Sequence, residues 1–177
     1  MRTFLKTVSL LLLGLWLGAA IFFSAAVAPN VFAVLRGAEL PNAANLAGSV
    51  VTRLLAIINK GGFEISLFVL VISFFTTRGQ KSIRRIAEML SLAIMAIMTA
   101  IGHWVVAARM GTLRAAMQLP IDQIASTDPR RIEFDSLHRY SVAMLGVAIV
   151  AALIAFLLIA SRKPVPPASA GGLRTQD

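Results

Sequence analysis

Residues 147–160 read VAIVAALIAFLLIA, a run with no charge, no proline and no alternation of apolar with polar positions. Residues 11–23, LLLGLWLGAAIFF, have the same character. In hydrocarbon every backbone amide must be satisfied internally, so only helices or a closed barrel can cross a bilayer. Barrel strands alternate apolar and polar side chains over about 10 positions, and these runs do not. They are helices. Working outward, four blocks reach the roughly 20 apolar residues that a crossing needs: residues 7–35, 57–77, 86–108 and 138–160. The fold class expected is all-α, a transmembrane four-helix bundle with short loops, forming one membrane domain over residues 1–163.

The composition agrees. Of 177 residues, 58% are apolar and only 14% charged, against about 25% charged in soluble domains. Mean hydropathy is +0.80. The net charge of +9 would suggest nucleic acid in a soluble protein. Here the cations are confined to the gaps between apolar blocks, where they act as orientation signals in a lipid bilayer. The absence of cysteine removes disulfides and thiolate chemistry. Nothing resembles a nucleophile constellation or a phosphate loop, so a non-enzymatic protein with no nucleic-acid partner is expected.

The first block starts like a secretory signal, with Arg2 and Lys6 ahead of an apolar run and small residues at Ser24-Ala25-Ala26. The run continues to Leu35, well past a 7–15-residue signal core, and is read as a retained span kinked near its end by Pro29. Basic residues number nine on the side of the termini and eight on the other. Four of the nine lie between Arg78 and Arg85, which places both termini in the cytoplasm, as in a bacterial cytoplasmic membrane. Gly37 to Asn45 is a turn. Arg109 to Leu119 is a short interfacial helix ended by Pro120, and Ser126-Thr127-Asp128-Pro129 caps a helix that runs into the fourth span. Residues 164–177, rich in Pro, Ala, Ser and Gly, form a disordered cytoplasmic tail.

Gly14 and Gly18 form a GxxxG in the first span, suited to close helix packing within the chain, or to a homodimer or another membrane protein. Met89, Met95 and Met98 are flexible packing residues rather than copper(I) ligands. Polar groups gather at the outer end of all four spans. At 1.5 Å per residue, His103 falls near the outer boundary and Glu64 below it, while His138 and Arg139 open the fourth span and Asn30 ends the first. Arg53, Lys60 and Glu64 share a helix face, with Lys60 and Glu64 four apart. Glu64 lies deep enough that it is expected to point inward to a cation. Gly61 and Gly62 offer room for a close approach, and Glu88 pairs with Arg84. These polar residues, with Ser141, are the candidate solute- or ion-binding or transport site. No cofactor is expected. His103 and His138 leave open a haem- or metal-binding redox protein, and the glycine pair leaves open a scaffold or assembly subunit.

WLGAAIFFSAAVAP, AGSVVTRLLAIINKGGFE and FDSLHRYSVAML together resemble the transmembrane protein 205-like family (domain of unknown function 4149). The most specific element is F-x-x-L-H-R-x-S, here Phe134, Leu137, His138, Arg139 and Ser141. The resemblance implies a small four-helix integral membrane protein and no settled activity. Ile57-Ile58-Asn59 stands where the family carries aromatic residues.

Overall fold

The computed structural model describes residues 2–38, 40, 42–77, 82–117, 119 and 121–162. The tail beyond Arg162 and the cations Arg78 and Lys81 lie outside the described residues. No strand occurs among those described. Four helices are long and apolar enough to cross a membrane: α1 (Thr3–Gly37), α2 (Ala43–Thr76), α3 (Ile83–Ala116) and α4 (Pro129–Ala160). The chain is a multi-pass transmembrane protein. Sequence neighbours pack side by side and α4 closes the ring against α1, the up-and-down arrangement that short connections impose.

Two helices contain a wide π segment. In α1 it covers Phe23–Val27, and the amide of Ala28 bonds the Phe23 carbonyl five residues back. Pro29 has no amide to donate and its ring crowds the preceding turn. The widened turn takes up that conflict, and the helix continues to Gly37. In α3 the π segment is Ile101–Ala107. The stretch expected to be a separate interfacial helix is instead the continuation of α3, which runs through Gly111 to Ala116 without a break. The cap ahead of α4 forms as its sequence indicates: Asp128 accepts a hydrogen bond from the Arg130 amide at 2.8 Å, with Pro129 in the first turn.

The core joins Leu13, Trp16, Leu17 and Ala20 of α1 to Val69 of α2 and to Leu92 and Met95 of α3. Ala148, Ala151, Ala152 and Ala155 line the buried face of α4. Small residues permit the close approach from which helices in lipid gain their packing energy. Large apolar side chains such as Leu15, Phe75 and Ile83 point outward and are 64–86% exposed, as a lipid-facing surface requires.

Gly62 is required by a close approach. A Cβ there would lie 2.7 Å from the Trp16 Nε1 and 2.9 Å from the Thr99 methyl, and the indole reaches past it to donate to the Ile58 carbonyl at 2.9 Å. Gly61 meets nothing within 4 Å. Of the GxxxG pair, a Cβ at Gly14 would stand 3.5 Å from the Phe156 ring of α4, while one at Gly18 would meet nothing within 4 Å. Half of that motif serves the bundle. Met95 is fully buried in the core.

One end of the bundle is tied by cations. Lys6 donates to the carbonyls of Ala160 and Arg162, both at 2.8 Å. Arg84 donates to the Leu158 carbonyl at 2.9 Å and to the Ser161 hydroxyl. These carbonyls end α4 and have no intrahelical partner, which is why cations collect there. Arg84 is therefore occupied, and Glu88 pairs with Arg162 instead.

Candidate functional site

The end far from Arg162 is where the sequence places a site. A helix of 34 residues is about 51 Å long, against about 30 Å of hydrocarbon, so each of the four helices is long enough to extend beyond the membrane core. Beyond its π segment α1 carries Phe32 and Arg36. The first turns of α2 carry Gly48 and Thr52, α3 ends with Met110, Gly111 and Arg114, and α4 begins with Phe134, Asp135, His138 and Ser141. These side chains line a cavity of about 290 Å³. A second cavity of about 380 Å³ adjoins it, walled by α1 and α4 with Val51 and Leu55 of α2. The two share Phe32, Val51, Leu55, His138 and Ser141.

The α3–α4 connection is latched over this end by Leu113, Met117, Ile124 and Phe134, which form a small core of their own. Arg109 holds Glu133 with two hydrogen bonds, at 2.7 and 3.2 Å. Arg130 reaches the Ala116 carbonyl at 3.2 Å, and Arg131 bonds the Ile124 carbonyl. At the corner preceding α4 the Arg130 guanidinium and amide hold the Asp128 carboxyl down at about 2.

Arg114 is the central group. Its guanidinium lies 5.4 Å from the centroid of the Phe134 ring and fits because position 48 is glycine: a Cβ there would stand 3.1 Å from Nη2. The side chain is half-buried, and it forms no ion pair among the described residues. Arg36 stacks over Phe32 at 5.6 Å and likewise has no carboxylate there. Asp135 faces Arg131 at 4.0 Å. The cavity thus presents the guanidinium groups of Arg36 and Arg114, neither of them ion-paired among the described residues, together with the Asp135 carboxylate, aromatic faces and a histidine above an apolar floor. Such a lining is chemically complementary to an anion or an amphiphile.

The candidate residues named from sequence divide. His138 and Ser141 line both cavities. Asn30 is exposed and donates to the Ala26 carbonyl of its own helix at 2.8 Å. Arg53 and Arg139 are exposed and line neither cavity. Glu64 does not point inward: it pairs with Lys60 at 3.9 Å, and both side chains are 62% exposed. The i, i+4 spacing let the pair form along one outward face, so no cation on another helix was needed. His103 lines neither cavity. Its Nδ1 is buried without a hydrogen bond among the described residues, and its ring meets Trp104 edge-on at 4.9 Å. Neither of these two cavities is lined by both histidines, and no group of three or more His, Asp or Glu among the described residues is placed to hold a metal ion.

Arg36, Arg114 and Gly48 were missed by the sequence reading. Arg114 carried a signal, a cation four residues from Met110 on a helix read as surface-lying. Gly48 carried none, because its role depends on which residue of another helix comes to rest against it.

The family described as domain of unknown function (DUF4149) matches residues 11–118. The chain belongs to this family. The match takes in α1, α2 and α3 with Gly48 and Arg114, and it stops short of Phe134–Ser141, the element that most supported the resemblance. The transmembrane protein 205-like designation is not part of it. Neither curated proteins nor solved structures gave a match.

Proposed function

We propose that this member of the DUF4149 family binds a small solute, for retention or transport, in the cleft between the outer ends of its helices. The observation that carries this reading is Arg114, half-buried at a 290 Å³ cavity, packed close over Gly48 and without an ion pair among the described residues. A charge taken partly out of water is costly unless compensated, and a bound anion supplies the compensation. The proposed setting is the bacterial cytoplasmic membrane with both termini inside. The gathering of Lys6, Arg84 and Arg162 at one end supports that orientation through the bias of basic residues to the cytoplasmic face. The test is thermal stabilisation of the purified protein by a panel of anionic and amphiphilic solutes. At least one should raise the melting temperature, and Gly48→Val, which crowds Arg114, should abolish the shift. A panel without effect, or a shift indifferent to Gly48→Val, overturns the reading.

A second reading, self-assembly through α2, rests on a separate observation. Glu64 lies nine residues from Ser73, whose hydroxyl meets Arg162, so it stands about 14 Å above that end. Charges exposed at that depth cost several kcal/mol in lipid. A second copy covers them, with Lys60 of each chain facing Glu64 of the other. Cross-linking in liposomes through cysteine placed at Ile57 tests it. Dimers that form in the wild-type background and are lost with Lys60→Glu, then regained with Lys60→Glu plus Glu64→Lys, support it, and no cross-linking refutes it.

A further inference from the structure

The two joined cavities differ in character, and the difference follows the depth of the bilayer. Arg36 and Arg114 stand thirty residues along their helices from Lys6 and Arg84, the cations that tie the opposite end. At 1.5 Å per residue both lie about 45 Å above that end. A bilayer with its headgroups is about 40–45 Å thick, which puts the two guanidinium groups at the far headgroup layer. His138 lies about 36 Å up, counted from Arg162, and Ile149 about 20 Å. The lower cavity, walled by Phe23, Ala28, Val142, Leu145 and Ile149, therefore runs from headgroup level into the hydrocarbon. Below the shared His138 and Ser141 its one other polar side chain is Ser24, whose hydroxyl is already bonded to the Ala20 carbonyl at 2.8 Å.

We propose that the occupant is an anionic membrane lipid, its phosphate at Arg36 and Arg114 and one acyl chain in the lower cavity between α1 and α4. This rests on the cleft being a binding site and specifies the ligand. A water-soluble anion uses the upper cavity alone and leaves the apolar one without a purpose. A zwitterionic lipid brings an ammonium group to two guanidinium groups that form no ion pair among the described residues. Anionic lipid matches both cavities and the depth at which each sits.

The experiment is native mass spectrometry of the full chain in mild detergent with an equimolar mixture of phosphatidylglycerol and phosphatidylcholine. One phosphatidylglycerol should be retained per chain in clear preference. Arg36→Gln, a change at an exposed position, should reduce that preference about fivefold. Gly146→Leu, where an added Cβ meets nothing within 4 Å, should fold normally, fill the lower cavity and reduce lipid retention. Equal retention of the two lipids, or a preference unchanged in both variants, overturns the proposal. If inorganic phosphate stabilises the protein through Arg36 while lipid preference is absent, the lipid assignment fails and the solute cleft stands. If no lipid is preferred and no solute stabilises, both fail.

Discussion

Arg162, just beyond the end of α4, reaches across to Glu88 of α3, donating to both carboxylate oxygens, while the same guanidinium bonds the Ser73 hydroxyl of α2 at 3.0 Å. Glu88 is 2% exposed. Three helices thus meet on one ion pair, and the partner is 74 residues away in sequence.

Removing one member strands the other. Arg162→Leu should cost about 3–5 kcal/mol, the range for an orphaned buried charge, read as loss of resistance to denaturant in micelles. The double change Glu88→Leu with Arg162→Leu should cost less than Arg162→Leu alone.

The adjacent glycines should behave differently. Gly62→Val drives a side chain into Trp16 and Thr99 and should cost about 1–3 kcal/mol, with a change in tryptophan emission as the indole leaves the Ile58 carbonyl. Gly61→Ala should leave stability unchanged or raise it by up to about 1 kcal/mol. Guanidinium chloride or heat titrations of both variants provide the comparison.

In α1 the two glycines of the GxxxG should separate in the same way. Gly14→Leu overpacks against Phe156 and should destabilise by about 1–3 kcal/mol, whereas Gly18→Leu should leave the thermal transition where it is. Equal losses in both would mean that Gly18 contacts something beyond this chain.

Acid should loosen the start of α4 before the rest. The Asp128 carboxyl is lowered from 3.8 to about 2 by its hydrogen bonds to Arg130. A depressed folded value means that its contribution is complete above the unfolded value and is lost as pH falls through the folded one. Amide exchange at residues 130–133, corrected for intrinsic rates, should therefore accelerate between about pH 4 and about pH 2. Asp128→Asn should remove the part of that pH dependence that comes from the cap while keeping a cap, leaving the part that Glu133 contributes through Arg109.

The four helices were legible because a bilayer admits few solutions: long apolar runs without alternation have to be helical, and the cap before α4 is a local hydrogen bond between near neighbours. At Pro29 the sequence points to a kink. Its conflict with the preceding turn is local, but whether a helix bends or widens depends on what packs beside it.

The candidate site was legible only in part. Depth along a helix follows from counting residues, so the far end of the bundle was recognisable, and His138 and Ser141 do line the cleft. Rotation about each helix does not follow from counting. That is why Glu64, at the expected depth, turned outward to Lys60, and why His138 lines the cleft and His103 does not.

Length, apolar runs and the spacing of cations determined by themselves that the chain crosses lipid four times, because every residue in those arguments acts on its own solvent or its near neighbours. Which side chains meet was decided by the tertiary structure. Gly48 makes way for Arg114, Gly62 for Trp16, and Arg162 rather than Arg84 neutralises Glu88, because each contact depends on the rotation and offset of two helices packed at close range.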